Sequence, residues 1–240
     1  MNAAYALFET PALDEGAIIA RHAPLVKRAV RQLSSQVGAV LEREDMEQVG
    51  LLALLEAARR YGEPDEQFTG FAMLRIRGAI LDELRRLDWR PRSVRQDAHR
   101  LRDGWRALTR QLGREPSERE AAAALGISLD EVQALLLAEN AEAMHSFDEI
   151  VANGGDLGDE RAPEQQMQLR IALASALRHL APREQQVIQL YYEHELSLKE
   201  IALVLELTEA RVCQINKAAL KKMKNCLAAA PDLGAAPGLA

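Results

Sequence analysis

The sequence contains few aromatic residues and no long hydrophobic run. Aromatic side chains make up 4% of its 240 residues. No apolar stretch approaches the length of about 20 residues that a transmembrane helix requires. Residues 1–16 have no basic segment ahead of an apolar one, so we expect neither a signal peptide nor an anchor. These absences predict a cytoplasmic protein that does not contact a membrane.

Cysteine and histidine are too scarce and too scattered to indicate a metal or catalytic site. Cys213 and Cys226 lie in one basic helical stretch with no second pair, whereas structural zinc sites use four ligands. The five histidines lack ligand spacing, and no glycine-rich loop is present to hold phosphate groups. We therefore predict two reduced thiols, no metal, no cofactor and no enzymatic activity.

Helix-forming and charged residues are abundant instead. Hydrophobic residues account for 48% of the chain and charged residues for 28%. Prolines and glycines cluster between long stretches with helical apolar periodicity, which indicates an all-α protein. The length permits more than one domain.

Charge is distributed unevenly along this acidic chain, whose net charge is −6. Residues 75–110 carry eleven basic and five acidic side chains, and residues 196–240 carry six and four. Between them, residues 111–195 carry six basic and sixteen acidic side chains. Clustered basic residues are typical of nucleic-acid binding, although a solvated basic face is the alternative. The acidic middle also leaves open a compact free form in which it covers the basic ends.

An internal repeat predicts two helix-turn-helix units. Ser117–Val132 and Ser197–Val212 align without a gap at an offset of 80. In each copy a serine is followed three residues later by a glutamate, the capping box that begins a helix. Gly126 supplies the turn in the first copy, where Glu206 stands in the second. One copy alone would leave a plain helical hairpin as the alternative, and the repetition favours the helix-turn-helix.

The last helix of the second copy has the side chains expected for DNA binding. Residues near the start of such a helix enter the major groove, and later lysines meet phosphates. The corresponding helix of the first copy is acidic, with Asp130, Glu131 and Glu139, so it suits a structural or partner contact better. The residues expected on the exposed face of the second copy are Glu209, Ala210, Cys213, Gln214, Lys217, Lys221 and Lys224.

Three blocks of the sequence resemble bacterial sigma factors. They are EDMEQVGLLALLEAARRY (44–61), FTGFAMLRIRGAILDELRRLDWRPRSVR (68–95) and LSLKEIALVLELTEARVCQINKAALKKMK (196–224). The middle block is similar to the flagellar, or motility, group. The resemblance spans residues 17–225 and implies a multidomain all-α protein with three small helical domains, the last a helix-turn-helix. It implies binding to the clamp and flap regions of core RNA polymerase, to promoter DNA and to an anti-sigma factor.

The resemblance also implies domain limits. The stretch from residue 139 to residue 164 carries eight carboxylates against one arginine and contains the sequence NGGDLGD, which predicts a flexible acidic coil. Such a coil could lie in a channel built for nucleic acid or act as a solvated tether. The implied limits are 17–95 for domain 2, 96–145 for domain 3, 146–164 for the linker, 165–228 for domain 4 and 229–240 for a disordered tail.

Individual residues take their implied roles from the same matches. Contacts to core polymerase are expected from Asp45, Gln48, Leu52 and Glu56. Contacts to the melted minus-ten element are expected from Phe68, Phe71, Arg75, Arg77, Asp82, Arg85 and Arg92. Contacts to the minus-thirty-five element are expected from Thr208, Glu209, Arg211, Gln214, Lys217 and Lys221. Housekeeping sigma factors carry a tryptophan pair where this chain has Leu74 and Arg75, so we expect a different hold on the upstream edge of the melted DNA.

The sequence leaves two alternatives, one for the role of Asp82 and one for the function of the protein. Asp82 could accept a hydrogen bond from a base amine, or it could only tether Arg85 and Arg86. The alternative function is a stand-alone helix-turn-helix regulator that binds duplex DNA as a dimer, although the sequence has no obvious dimerisation heptad.

Overall fold

The computed structural model describes residues 14–37, 41–87, 92–154 and 162–228. Regular secondary structure in these residues is entirely α-helical, so the predicted all-α fold is confirmed. The predicted tail at 229–240 lies outside the described residues. In chain order the helices are α1 (Glu15–Val37), α2 (Arg43–Tyr61), α3 (Phe68–Arg86), α4 (Arg92–Leu112), α5 (Glu118–Leu125), α6 (Leu129–Gly154), α7 (Ala162–Arg178), α8 (Pro182–Tyr192), α9 (Leu198–Leu205) and α10 (Glu209–Ala228).

Helices α1, α2 and α3 pack against one another around an apolar core. Leu33, Leu54 and Ile76, one from each helix, are fully buried there. Gly50 allows α2 to approach α1 closely, because a Cβ atom at this position would lie 2.7 Å from Cγ1 of Val26. The apolar face of α3 packs in this bundle, and α3 contains the beginning of the basic segment 75–110.

The internal repeat forms two helix-turn-helix units. Ser117 and Glu120 make a reciprocal capping box at the start of α5, and Ser197 and Glu200 make the same box at the start of α9. Both turns place a residue in the left-handed region, with φ of 67° at Gly126 and 55° at Glu206. The same sequence pattern therefore gives the same local geometry, even where a glutamate replaces the glycine.

Helix α6 lies at the centre of the molecule, where it packs against α10, α3 and α1. The linker expected from residue 146 onward is helical as far as Gly154. Buried Met144 and Phe147 and half-buried Val151 continue the apolar stripe of α6, which explains why the helix persists. Residues 155–161, the rest of the predicted coil up to α7, lie outside the described residues.

Within the described ranges no single helix is long and apolar enough to cross a membrane, although the bent pair of α5 and α6 meets the length and composition criterion when taken together.

Candidate nucleic-acid interface

The two phenylalanines at the start of α3 have different surroundings. Phe68 is fully buried, and its ring makes edge contacts with His22 and Tyr61 at centroid distances of 4.8 and 5.2 Å. Phe71 is half-buried, with its ring 5.2 Å from that of Tyr61 and 5.4 Å from the guanidinium carbon of Arg75. Phe68 is therefore a core residue, contrary to the expectation that it stacks on a base, and Phe71 alone of this pair can reach one.

Arg77 is buried and joins three parts of the chain. From α3 it donates through Nε and Nη2 to the two carboxylate oxygens of Asp148 on α6, at 3.0 and 3.1 Å. Tyr192, at the end of α8, donates its hydroxyl to Asp148 at 3.2 Å, and its ring lies 4.7 Å from the guanidinium carbon. The Tyr191 ring lies 5.7 Å from the same carbon. We call Arg77, Asp148, Tyr191 and Tyr192 the Arg77 cluster.

The expectation that Arg77 contacts DNA is not met in this conformation, because its side chain is only 3% exposed. Burial, the largest single influence, would lower the pKa of Arg77, but the Asp148 carboxylate, Tyr191 and Tyr192 together outweigh burial and raise this pKa above the ordinary arginine value. Burial raises the pKa of both Tyr191 and Tyr192. At neutral pH Arg77 is therefore charged and the Tyr192 hydroxyl keeps the proton that it donates.

Asp82 is held by groups of the protein. Its Oδ1 lies 2.7 Å from Nε2 of His145 on α6 and 3.8 Å from Nη1 of Arg85 on α3. The Asp82 side chain is 66% exposed, and it borders a cavity of about 360 Å³ between α2, α3 and α6. His145 occupies one hydrogen-bonding position of the Asp82 carboxylate, and its remaining positions are accessible to a base.

The other arginines of the segment differ in accessibility. Arg85 is exposed and Arg75 is half-buried beside Phe71. Arg86, also exposed, pairs with Glu83 one turn earlier at 2.7 Å. The side chain of Arg92 lies outside the described residues. Of the predicted minus-ten contacts, Phe71, Arg75, Asp82 and Arg85 therefore line one open face of α3.

The start of α10 is covered by the first helix-turn-helix unit. Thr208 donates its hydroxyl to Glu118 of α5 at 2.8 Å. Gln214 donates its side-chain amide to the carbonyl of Pro116 at 3.2 Å and accepts from Arg211 at 2.8 Å. The predicted exposure of this face is therefore not met at three positions, which are the buried residues Ala210, Cys213 and Gln214.

The middle of α10 is paired with α6. Lys217 forms an ion pair with Glu139, and Asn216 donates to the side-chain oxygen of Asn140 at 2.9 Å in a buried contact. Glu139, expected to make a structural or partner contact, thus pairs with Lys217, which was expected to contact a phosphate. The edge of α10 that is exposed or half-exposed carries Glu209, Arg211 and Lys221.

Cys213 lies within the covered face of α10. Its side chain is 1% exposed, whereas Cys226 is half-buried. Burial raises the pKa of the Cys213 thiol, and the carboxylates of Glu209 and Glu118 raise it further. Because the thiolate is the reactive form, burial and the raised pKa both protect Cys213 in this conformation.

One face of α2 is open to solvent. Asp45, Gln48, Leu52 and Glu56 are all exposed, and Leu52 is 63% exposed. Their spacings of three and four residues place them on one side of the helix. An exposed leucine among carboxylates and an amide suits a protein partner better than DNA. The structure therefore brings together the four residues expected to contact polymerase.

Sequence reasoning missed the groups that join the proposed domains. Arg28 of α1 forms an ion pair with Glu195, which precedes α9, and Gln32 donates to the Tyr191 carbonyl at 2.8 Å. Their local patterns resemble those of ordinary surface residues, since the partners are distant in sequence. The burial of Asp148 could have been predicted, because the apolar stripe of α6 continues past this residue. No cluster of three or more potential metal ligands occurs among the described residues.

The match to known families defines the class of this protein. Residues 18–90 match Sigma-70 region 2, residues 98–165 match Sigma-70 region 3 and residues 176–225 match Sigma-70, region 4. The three matches follow one another in a single chain. The protein is therefore a sigma factor of the sigma-70 class.

Individual relatives specify the group. The chain is 46% identical over 218 residues to the RNA polymerase sigma factor for flagellar operon of Vibrio parahaemolyticus, with 90% of each chain covered. It is 37% identical over 226 residues to the RNA polymerase sigma factor FliA of Escherichia coli K12, covering 90% of this chain and 95% of that one. The chain belongs to the family of flagellar RNA polymerase sigma factors.

A solved structure shows the same fold. The chain is similar, with a TM-score of 0.65 and 29% identity, to a chain of the cocrystal structure of the flagellar sigma/anti-sigma complex, Sigma-28/FlgM. The similarity covers 90% of this chain and 96% of that one.

Proposed function

We propose that this chain binds core RNA polymerase, directs it to flagellar promoters and helps to melt the minus-ten element at the start of transcription. The observation that carries this proposal is the presence of all three sigma-70 regions, in order, in a chain that aligns with flagellar sigma factors over 90% of its length. The protein acts in the cytoplasm, where transcription takes place, and contributes no catalytic step, since polymerase performs the chemistry.

Residues of α2 and α3 supply the polymerase and minus-ten contacts in this proposal. The open face formed by Asp45, Gln48, Leu52 and Glu56 binds the polymerase clamp. Unstacking a base costs a few kcal/mol, so a protein that hydrolyses nothing must recover that energy by binding the separated strand. Phe71 provides a ring for stacking. The exposed Arg85 and half-buried Arg75 provide charge for the phosphates.

Residues of α10 supply the minus-thirty-five contacts once α5 and α6 leave it. Arg211 and Gln214 lie near the helix start, the part that enters the major groove, and Glu209 can accept a hydrogen bond from a cytosine amine. Lys217 and Lys221, later in the helix, meet phosphates.

The domain limits of 17–95, 96–145 and 165–228 stay as proposed, whereas residues 146–154 extend domain 3 in this conformation. Arg77 and the start and middle of α10 are then covered by neighbouring domains, so complete promoter binding requires the domains to separate. The solved relative is a complex with an anti-sigma factor. We therefore also propose that an anti-sigma factor binds this chain and favours the covered state.

The structure disfavours the alternative of a stand-alone dimeric regulator. Such a protein must present its recognition helix when free, whereas Gln214 and Lys217 are here bonded to Pro116 and Glu139.

Run-off transcription from a flagellar-type promoter tests the proposed function. Core polymerase is assayed with and without the protein, and a promoter of the housekeeping type serves as the control template. We expect transcripts only when the protein and the flagellar-type promoter are both present. Transcripts that do not depend on the protein would refute the proposal.

A further inference from the structure

One short segment of α6 contacts both proposed DNA-binding surfaces at once. His145 bonds Asp82 on α3, and the adjacent Ser146 accepts a hydrogen bond from Lys224 of α10 at 2.6 Å. Asp148, one turn later than His145, accepts from Arg77 on α3 and from Tyr192 on α8. Residues 145–148 therefore link domain 3 to domain 2 and domain 4 through polar groups.

We propose that the Arg77 cluster is an interdomain switch in which Asp148 holds the guanidinium of Arg77 in the closed protein, and that loss of this ion pair frees Arg77 for the minus-ten surface and uncovers the minus-thirty-five surface at the same time. The contacts among Arg77, Asp148 and Tyr192 by themselves define the closed state. The use of the released Arg77 by a DNA phosphate rests on the proposed function.

The chemistry of the cluster suits an interface that must come apart. A buried ion pair contributes little net stability compared with apolar groups of similar size, because both charges lose their water. Removal of one partner, however, leaves an uncompensated buried charge, which is strongly unfavourable. When the domains separate, both Arg77 and Asp148 regain water. The pair therefore stabilises the closed form only while both partners are present.

The geometry makes the three domains depend on one another. Asp148 accepts hydrogen bonds from Arg77 and from Tyr192, and the Tyr192 ring also lies 4.7 Å from the guanidinium carbon. Each member thus touches the other two, although they come from α3, α6 and α8. If α8 moves away, Asp148 loses the hydrogen bond from Tyr192. If α6 moves away, the Arg77 guanidinium loses its carboxylate partner and is left beside Tyr191 and Tyr192. We infer that the domains separate together rather than one at a time.

A native thiol reports on this opening. Cys213 is 1% exposed in the face of α10 that α5 and α6 cover, and Glu118 of α5 lies close enough to influence its ionisation. Cys226, farther along the same helix, is half-buried and provides an internal reference. The ratio of the two alkylation rates therefore measures uncovering of α10 in the full chain.

The test compares Asp148→Asn with Glu83→Gln in the full-length protein. Both substitutions remove one negative charge that pairs with an arginine of α3, but the half-buried Glu83 pairs within its own helix with the exposed Arg86. Iodoacetamide modification is followed by peptide mapping, and small-angle scattering gives the radius of gyration. We expect the rate at Cys213 relative to Cys226 to rise about tenfold or more in Asp148→Asn, with an increased radius. Glu83→Gln stays within about twofold of the unmodified protein.

Two outcomes overturn the proposal. The first is a folded Asp148→Asn protein, judged by circular dichroism, whose Cys213 reacts as slowly as in the unmodified chain. The second applies if Asp148→Asn fails to fold. In that case Tyr192→Phe, which removes only the hydroxyl bonded to Asp148, decides the matter: a rise of about threefold supports the switch and an unchanged rate refutes it. The thiol assay uses neither polymerase nor DNA, so its failure is distinguishable from failure of the run-off experiment.

Discussion

At the scale of single residues, Arg77 and Arg85 show that one arginine-rich helix serves both the fold and the surface. Arg77 is 3% exposed and paired with Asp148, whereas Arg85 is 56% exposed. Position 77 falls four residues after buried Met73 and three before buried Ile80, which places it on the apolar stripe of α3. Helical spacing could therefore have identified Arg77 as buried, although not its partner.

The exposed Lys221 of α10 provides a test of phosphate contact. Replacement of Lys221 by Ala removes an exposed charge from the recognition helix. We expect binding of the polymerase holoenzyme to weaken evenly across minus-thirty-five sequences, with the slope of log affinity against log salt reduced by about one. Binding isotherms at several salt concentrations measure the slope.

Lys222→Ala is the matched control for this measurement. Lys222 carries the same charge one position later but pairs with Glu184 of α8 at 2.7 Å. Its replacement should change the salt slope less than that of Lys221. Equal slopes for both variants, or a loss confined to certain sequences, would contradict a phosphate contact by Lys221.

Asp82 tests whether a carboxylate near DNA selects bases. Asp82→Ala removes the acceptor that could bind a base amine, so we expect the holoenzyme to change its base preference within the minus-ten element. Transcription from a panel of single-base promoter variants measures the preference. Glu83→Ala, which removes the neighbouring carboxylate paired with Arg86, should leave the preference unchanged. A uniform loss on every promoter for Asp82→Ala would show that Asp82 only positions Arg85.

At the scale of helices, local signals determine where an element begins and long-range packing determines how far it continues. The capping boxes at Ser117 and Ser197 begin α5 and α9 as predicted. The end of α6 is different, because acidic residues and nearby glycines favour coil whereas Phe147 and Val151 pack against neighbours. Burial of these apolar side chains extends the helix through residues expected to form a linker.

The crossing of α1 and α2 gives a prediction at this scale. In Gly50→Ala the new methyl group would lie 2.7 Å from Val26 Cγ1 and 3.3 Å from Ile76 Cγ2. Overpacking costs about 1–3 kcal/mol, and the better helix propensity of alanine returns about 1 kcal/mol. We therefore expect a net loss of stability of about 1 kcal/mol, seen as a lower urea midpoint by circular dichroism.

Gly78→Ala is the control for this substitution. A Cβ atom at Gly78, in the interior of α3, meets nothing within 4 Å. Helix propensity alone should then act, so this variant should be at least as stable as the unmodified chain. If Gly50→Ala proves as stable as Gly78→Ala, the close helix crossing is not tightly packed.

At the scale of the whole molecule, the acidic middle of the chain neutralises its basic ends. Glu139 pairs with Lys217 and Asp148 pairs with Arg77, and Glu118 accepts a hydrogen bond from the uncharged Thr208. A chain with a net charge of −6 is repelled by DNA overall. The free protein therefore presents neither the overall charge nor the uncovered α10 face that promoter binding needs.

This arrangement predicts that domain 4 binds DNA better alone than within the whole chain. Residues 165–228 carry nine basic and six acidic side chains, so the fragment is positive. We expect the fragment to bind a minus-thirty-five duplex about tenfold or more tightly than the full chain, as measured by fluorescence anisotropy at fixed salt. A scrambled duplex separates specific binding from general attraction. Equal affinity of fragment and full chain would refute masking of α10.

Much of the fold and of the site could be predicted because the signals are local. The repeat, its caps and its turns depend on residues within one or two helical turns, and the exposed face of α2 follows from spacing alone. The placement of Phe68 and Gln214 could not be predicted in the same way. Each lies on a helix whose periodicity permits either exposure or burial, and a neighbour distant in sequence decides between them.

The sequence by itself determined the helices, the two helix-turn-helix units, the charge segments and the membership of the sigma factor family, since all of these depend on residues that are near one another in the chain. The tertiary structure alone decided which charged residues are accessible. Arg77 pairs with Asp148, Asp82 with His145 and Lys217 with Glu139, and the partners in each pair are more than sixty residues apart in the sequence. Pairing at that distance depends on how whole domains pack, and domain packing here hides Arg77 and much of the α10 face that the sequence equips for DNA.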